Sequence, residues 1–124
     1  MSGSPQHYHS NVITVYNGTG STIAAFRGLT ITKNAAGDLG VALSAVDVRP
    51  DAVSLTPIAD GEFGDAVMVN GTGIISITAA GALSALTAVT AAASGKISSG
   101  GSAAVGKNLD ASTADGDIIR VKVS

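Results

Sequence analysis

The chain has 124 residues, with two tyrosines, two phenylalanines, no tryptophan and no cysteine. Its net charge is −2, from 7 basic and 9 acidic residues spread along the chain. The lack of cysteine excludes disulfides and thiolate chemistry, and the lack of a basic stripe argues against nucleic acid as a partner. The longest small-apolar stretch, 79–93, is interrupted by glycine, serine and threonine, so no membrane span is predicted.

Residues 1–11 are polar and predict a flexible or extended N-terminal arm ahead of a body at 12–124. The arm has no apolar run of the kind found in a signal peptide. His7 and His9, the two histidines, are spaced to lie on one side of an extended segment, which is a weak metal-binding pattern. No third ligand lies nearby, and we therefore interpret them as solvated or interface histidines.

The body begins with strict alternation. Val12, Thr14 and Tyr16 share one face of a predicted strand, and Ile13 and Val15 share the other. Asn-Gly-Thr-Gly at 17–20 and the cluster at 34–38 are turn signals. Segments rich in β-branched residues predict further strands at 23–26, 29–33, 39–43 and 53–58.

A second Asn-Gly-Thr-Gly turn, at 70–73, lies between predicted strands at 66–69 and 74–78 and follows a turn cluster at 60–65. Two copies of one turn about fifty residues apart suggest an internal duplication. Because the flanking residues do not match, we interpret the copies as repeated turn chemistry.

The segment 82–93 has Leu83, Leu86 and Val89 at helical spacing, but serine, threonine and valine dilute the pattern, so helix and strand both stay open. A Gly/Ser-rich turn follows at 95–101. The last strand, 118–123, alternates: Ile119, Val121 and Val123 point inward, and Arg120 and Lys122 point outward.

Frequent turn signals between short strands predict an all-β fold, in which 82–93 is the candidate for one short helix. We expect a compact β-sandwich or small β-barrel body with an extended N-terminal arm.

Patterns for catalysis or cofactor binding are incomplete. The run 101–108 nearly matches a phosphate-binding loop but has Asn108 where serine or threonine should hold magnesium. Two acidic clusters supply oxygen ligands of the kind calcium prefers, but we interpret both as turn chemistry; they comprise Asp60, Glu62 and Asp65, and Asp110, Asp115 and Asp117. Phe26 and Phe63 are assigned to the core and Tyr8 to docking. No catalytic, cofactor-binding or metal-binding residue is predicted, and the chain is not expected to be an enzyme.

Four segments resemble motifs of one family, the capsid cement (head decoration) proteins of tailed bacteriophages. These are the Gly-Asp-Leu-Gly-Val-Ala-Leu run at 37–43, the Gly-Asp-Ala-Val-Met-Val run at 64–69, and the closing segments 105–109 and 115–123. Asn108 departs from the alanine usual in that family, and 79–101 matches none of its motifs.

The resemblance implies a structural virion protein that binds the outer surface of an icosahedral capsid and stabilises it. Its partners would be the major capsid protein and two further copies in a homotrimer, after synthesis in the host cytoplasm. The arm residues expected to contact the capsid are Pro5, Gln6, His7, Tyr8, His9 and Asn11. The alternative is a virion fibre or surface adhesin-like β domain that binds a host glycan.

Overall fold

The computed structural model describes residues 11–69 and 73–124, and the regular secondary structure in these ranges is almost entirely β, as the sequence predicts. The strands are β1 Val12–Asn17, β2 Gly28–Lys33, β3 Leu39–Leu43, β4 Ala52–Ser54, β5 Phe63–Met68, β6 Ile74–Thr78, β7 Ala88–Ala91, β8 Ile97–Ser98, β9 Ala104–Asn108 and β10 Ile118–Val123. Within these described ranges, a 3-10 turn covers Ala93–Gly95. Within the two described ranges, no helix has the length and apolar character needed to cross a membrane.

The strands form two groups of five. The first five close into a barrel in the order β1-β3-β2-β4-β5, with β1 paired to β5. The second five form a sheet in the order β6-β10-β9-β7-β8. A parallel bridge between Ala79 and Ile97 joins the end of β6 to β8 and brings the two edges of this sheet together.

These two groups have the same topology. Around each ring, the first strand pairs antiparallel with the fifth and contacts the third in parallel, and the second strand pairs antiparallel with the third and the fourth. The body is therefore an internal duplication, with repeat 1 at 11–69 and repeat 2 at 73–124. The sequence did not predict this duplication, because the repeated Asn-Gly-Thr-Gly runs were interpreted as turn chemistry. The two Asn-Gly-Thr-Gly runs do not occupy equivalent places in the chain, because 17–20 follows β1 whereas the second run precedes β6; the turn predicted at 70–73 lies mostly outside the described residues.

Buried polar side chains confirm the equivalence. Ser54 ends β4 and Asn108 ends β9, and both are fully buried. Each donates to a carbonyl and accepts from an amide of the turn that leads into the neighbouring strand: Ser54 bonds to Ala24 and Arg27, and Asn108 to Ser84 and Thr87. Both turns contain a non-glycine residue in the left-handed region, Phe26 at φ 58° and Leu86 at φ 60°. Such matched strain shows that the two turns have one backbone design.

Each repeat has its own apolar core, and β4 contributes to both. Ala52 lies in the core of repeat 1, whereas its neighbour Val53 is fully buried in the core of repeat 2. Since successive side chains on a strand point to opposite faces, β4 forms a shared wall between the two cores.

Polar contacts across this wall join the repeats. The amide of Thr78 donates to the carbonyl of Phe26 at 2.9 Å, and its hydroxyl donates to the same carbonyl at 2.8 Å. One guanidinium nitrogen of Arg49 donates to the carbonyl of Ala104 at 2.9 Å and to that of Ser124 at 3.1 Å. Together with the valine contacts, these bonds hold the two repeats as one body.

Three predicted segments differ in the structure. The strand predicted at 23–26 was wrong: Ile23 makes one isolated bridge, to Ile58, and the chain then turns at Phe26 to enter β2. The strand predicted at 53–58 ends at Ser54. The open segment 82–93 is not α-helical, because Val89 and Ala91 are buried in a strand between β9 and β8.

Gly95 tests the contact between the repeats. It lies at φ 69°, and a Cβ there would be 2.5 Å from the carbonyl oxygen of Gly28. We expect Gly95→Ala to destabilise the protein by about 2–5 kcal/mol, from left-handed strain and from forced separation of the two backbones. Gly100→Ala is the matched control, since Gly100 has φ 85° but nothing within 4 Å, and it should cost only about 1–2 kcal/mol. Equal losses in urea unfolding of the two variants would show that the close approach is unimportant.

Candidate interaction surfaces

The predicted arm meets the body at Asn11. Pro5, Gln6, His7, Tyr8 and His9 lie outside the described residues. Asn11 is exposed, and its carbonyl accepts a hydrogen bond from the amide of Met68 at 2.7 Å. The chain therefore enters the body at a defined point, where the start of β1 lies beside the end of β5.

The second acidic cluster has a structural role at the β9–β10 connection. The carboxylate of Asp110 accepts two bonds from the Arg120 guanidinium, at 2.8 and 2.9 Å. Asp115 forms an ion pair with Lys96 at 2.7 Å. Asp117 accepts from the amides of Thr113 and Ala114. The three side chains thus form two ion pairs and stabilise a turn, in agreement with the structural role predicted for them from the sequence.

The first acidic cluster is spread over the corresponding connection of repeat 1. Asp60 accepts from the amide of Gly20 at 2.9 Å, whereas Glu62 and Asp65 are exposed. Among the described residues, no three His, Asp or Glu side chains are grouped closely enough to hold a metal ion.

Large apolar side chains are exposed on both repeats. Phe63, which the sequence assigned to the core, is 58% exposed, so that assignment was wrong. It pairs across β1–β5 with Tyr16, their ring centroids 5.2 Å apart and their planes tilted by 58°. The reason is the register: β5 points Ala66 into the barrel and Phe63 outward. The remaining exposed apolar residues are Val12, Leu43, Val46, Val48, Ile74, Leu86 and Ile118.

An open cleft of about 490 Å³ lies beside Tyr16, where β1 and β3 run in parallel. The parallel pairing covers only two residue pairs, Tyr16 with Gly40 and Asn17 with Val41. Thr19, Thr32 and Asn34 add hydroxyl and amide groups to the lining, and Ala42 and Val41 add apolar surface. We call this junction the first seam.

A basic row lies on the outer face of repeat 2. Lys107 and Lys122 are directly opposite each other in the β9–β10 pairing, and both are exposed. Like charges in this position destabilise a sheet. In the sequence these lysines are fifteen residues apart and read as separate surface charges, since only the strand register brings them together.

The pH dependence of the β9–β10 connection follows from Asp110. Its pKa is lowered to about 2, first by the side-chain hydrogen bond from Arg120 and then by the Arg120 amide. An unfolded aspartate titrates at about 4, so this stabilisation is present above about pH 4 and is lost as the pH falls toward about 2. In Arg120→Gln, we expect the pKa of Asp110 to rise, as measured by NMR of the carboxyl carbons. The pKa of Asp117 is lowered chiefly by the Thr113 and Ala114 amides and is the internal control. An unchanged Asp110 titration would contradict the assignment.

Comparison with known proteins identifies a solved structure with a similar fold. No protein-family model and no curated protein matches the sequence. Among solved structures, the chain is similar to the head fiber gp8.5 N base of bacteriophage phi29, with a TM-score of 0.76 and 16% sequence identity. The similarity covers 91% of this chain and 92% of that chain, so it includes both repeats. The chain therefore has the fold of a bacteriophage virion structural protein.

Proposed function

We propose that this protein is a non-enzymatic structural component of a phage virion, which binds the outer surface of the icosahedral head and stabilises it. The observation that carries the proposal is the fold shared with a phage head fibre base across 91% of the chain. The motifs that resemble head decoration proteins support the same role, and they lie in both repeats. The partners are the major capsid protein and further copies of this chain in a homotrimer.

The chemistry of the described surface supports a structural role. The carboxylates of the second acidic cluster are used in ion pairs, by Asp110 and Asp115, and in a turn, by Asp117. The exposed apolar side chains of Phe63 and Ile118 lie on strands, which fixes their backbone positions. Rigid apolar side chains bind a partner with little loss of conformational entropy. A trimer would bring three such surfaces to the capsid, which makes several weak contacts act as one strong one.

A fibre or adhesin role is the second candidate, because the similar solved structure is itself the base of a head fibre. The Tyr16–Phe63 pair beside the first seam supports it further. Aromatic rings next to hydroxyl and amide groups form the type of surface on which sugars stack, and Thr19, Thr32 and Asn34 supply those groups. In this role the chain would bind a host glycan.

Head binding separates the two candidates. Purified heads from a phage lacking this gene should bind the added protein saturably in co-sedimentation, and the decorated heads should resist heat or low salt better than bare ones. Heads of an unrelated phage are the control. No binding to its own heads, together with reproducible glycan-array signals that Phe63→Ser abolishes, would overturn the capsid role in favour of the adhesin role.

The arm is tested separately. A variant lacking residues 2–10 should lose most of its head binding, since an arm that orders on a capsid contributes contact area that the body alone lacks. Its thermal unfolding should match the full chain, because β1 starts at Val12 and the variant keeps both the β1–β5 pairing and the bond from Met68 to Asn11. Full decoration by the truncated protein would assign capsid binding to the body instead.

A further inference from the structure

The contact between the repeats shows how one outer face of a repeat is used. In repeat 1, a row of four residues crosses the strands β1, β5, β4 and β2, and we call it the valine row: Val12, Val67, Val53 and Gly28. Val53 belongs to the same buried cluster as Ala79 and Ile97, and Val67 packs against that cluster. Val67, Val53 and Gly28 therefore lie against repeat 2, whereas Val12, at the end of the row, is 44% exposed.

The valine row covers one particular place on repeat 2. Ala79 and Ile97 are the residues that bridge β6 and β8, and we call this junction the second seam. Strand β4 contacts β6, and β2 contacts the 3-10 turn that leads into β8. The amide of Gly95, in that 3-10 turn, donates to the carbonyl of Ser44 at 2.9 Å. Repeat 1 thus closes the second seam of repeat 2.

The duplication places an equivalent row on repeat 2, which we call the lysine row: Ile74, Lys122, Lys107 and Ala88. The pairings Val12–Val67, Val67–Val53 and Val53–Gly28 correspond one by one to Ile74–Lys122, Lys122–Lys107 and Lys107–Ala88. All four residues of the lysine row are exposed, and Ile74 is 62% exposed. The face that repeat 1 uses for docking is therefore uncovered on repeat 2.

The duplication also identifies an uncovered receiving surface. The first seam, between β1 and β3, is the equivalent of the second seam, and it carries the open cleft. Two acidic residues and one basic residue lie near it: the side chain of Asp38 is 3.4 Å from that of the cleft-lining Asn34, Glu62 directly precedes Phe63, and Lys33 lies between Thr32 and Asn34. Ion pairs in the described residues are Lys96–Asp115 and Arg120–Asp110, so the carboxylates of Asp38 and Glu62 have no cationic partner there.

The charges of the two surfaces are complementary. Residues 11–69 contain three basic and six acidic side chains, a net charge of −3, whereas 73–124 contain four basic and three acidic, a net charge of +1. The opposed lysines weaken their own sheet, and neither takes part in an ion pair within the described ranges. An acidic partner surface would relieve their repulsion and would steer association.

We propose that the lysine row of one copy docks on the first seam of a second copy, repeating between molecules the contact that the valine row makes within one. This inference deepens the proposed homotrimer, on which it rests. The contact is head-to-tail, since the two surfaces differ, so it continues from copy to copy and ends only when the ring closes. Lys107 and Lys122 contribute the charge, and Ile74 contributes apolar area.

The test is the oligomeric state of the full chain, measured by light scattering and sedimentation equilibrium over a range of concentration and salt. The wild type should form a closed oligomer that weakens as salt rises. Lys107→Glu/Lys122→Glu should associate more weakly by about tenfold or more for each reversed charge, with unchanged thermal unfolding. Lys33→Glu is the control for each single reversal: it makes the charge change of one of the two lysine substitutions, between the cleft residues Thr32 and Asn34, and should not weaken association.

The inference would be overturned by a control that weakens association as much per reversed lysine, which would indicate a net-charge effect, or by a double lysine variant of wild-type size and affinity. A wild type that stays monomeric at high concentration would also overturn it. Head binding is scored in parallel. A monomeric protein that still decorates heads contradicts this interface but not the proposed function. An oligomer that dissociates in the lysine variant but does not bind heads supports this interface and contradicts the proposed function.

Discussion

The body depends on one strand that belongs to two cores. Within the three residues of β4, Ala52 is buried in repeat 1 and Val53 in repeat 2, and neither side chain is exposed. Burial of a valine contributes roughly 1.5–3 kcal/mol, and here that energy exists only while the two repeats are in contact. The backbones must therefore approach closely, which explains the glycines at 28 and 95.

The duplication separates what the fold requires from what it merely permits. Equivalent positions keep the buried polar pair Ser54 and Asn108 and the left-handed turn residues Phe26 and Leu86, because those positions determine how the strands enter each sheet. The outer faces differ: valines cover a seam in one repeat, and lysines face outward in the other. Positions where the repeats differ while the backbone stays the same are not required by the fold, so their side chains can be used for binding. This supports the lysines of repeat 2 as part of an interface.

Part of this structure could be predicted because strand alternation is a local property. Ile119, Val121 and Val123 are buried and Arg120 and Lys122 exposed, as the period of two predicts. Phe63 and the segment 82–93 were beyond such reasoning. The apolar character of Phe63 does not show which face of β5 packs against the core. The apolar spacing in 82–93 fits both a helix and a strand, and only pairing with the neighbouring strands makes it a strand.

The sequence by itself determined the all-β class, most strand positions and the turns, since these follow from period-two patterning and from residues whose backbone preferences are local. Only the tertiary structure decided the duplication, the sharing of β4 and the pairing of Lys107 with Lys122. Those features depend on strand order and register, which are set by contacts between residues far apart in the chain. The two repeats share few identical residues because the requirement acts on backbone geometry and burial, and many side chains satisfy it.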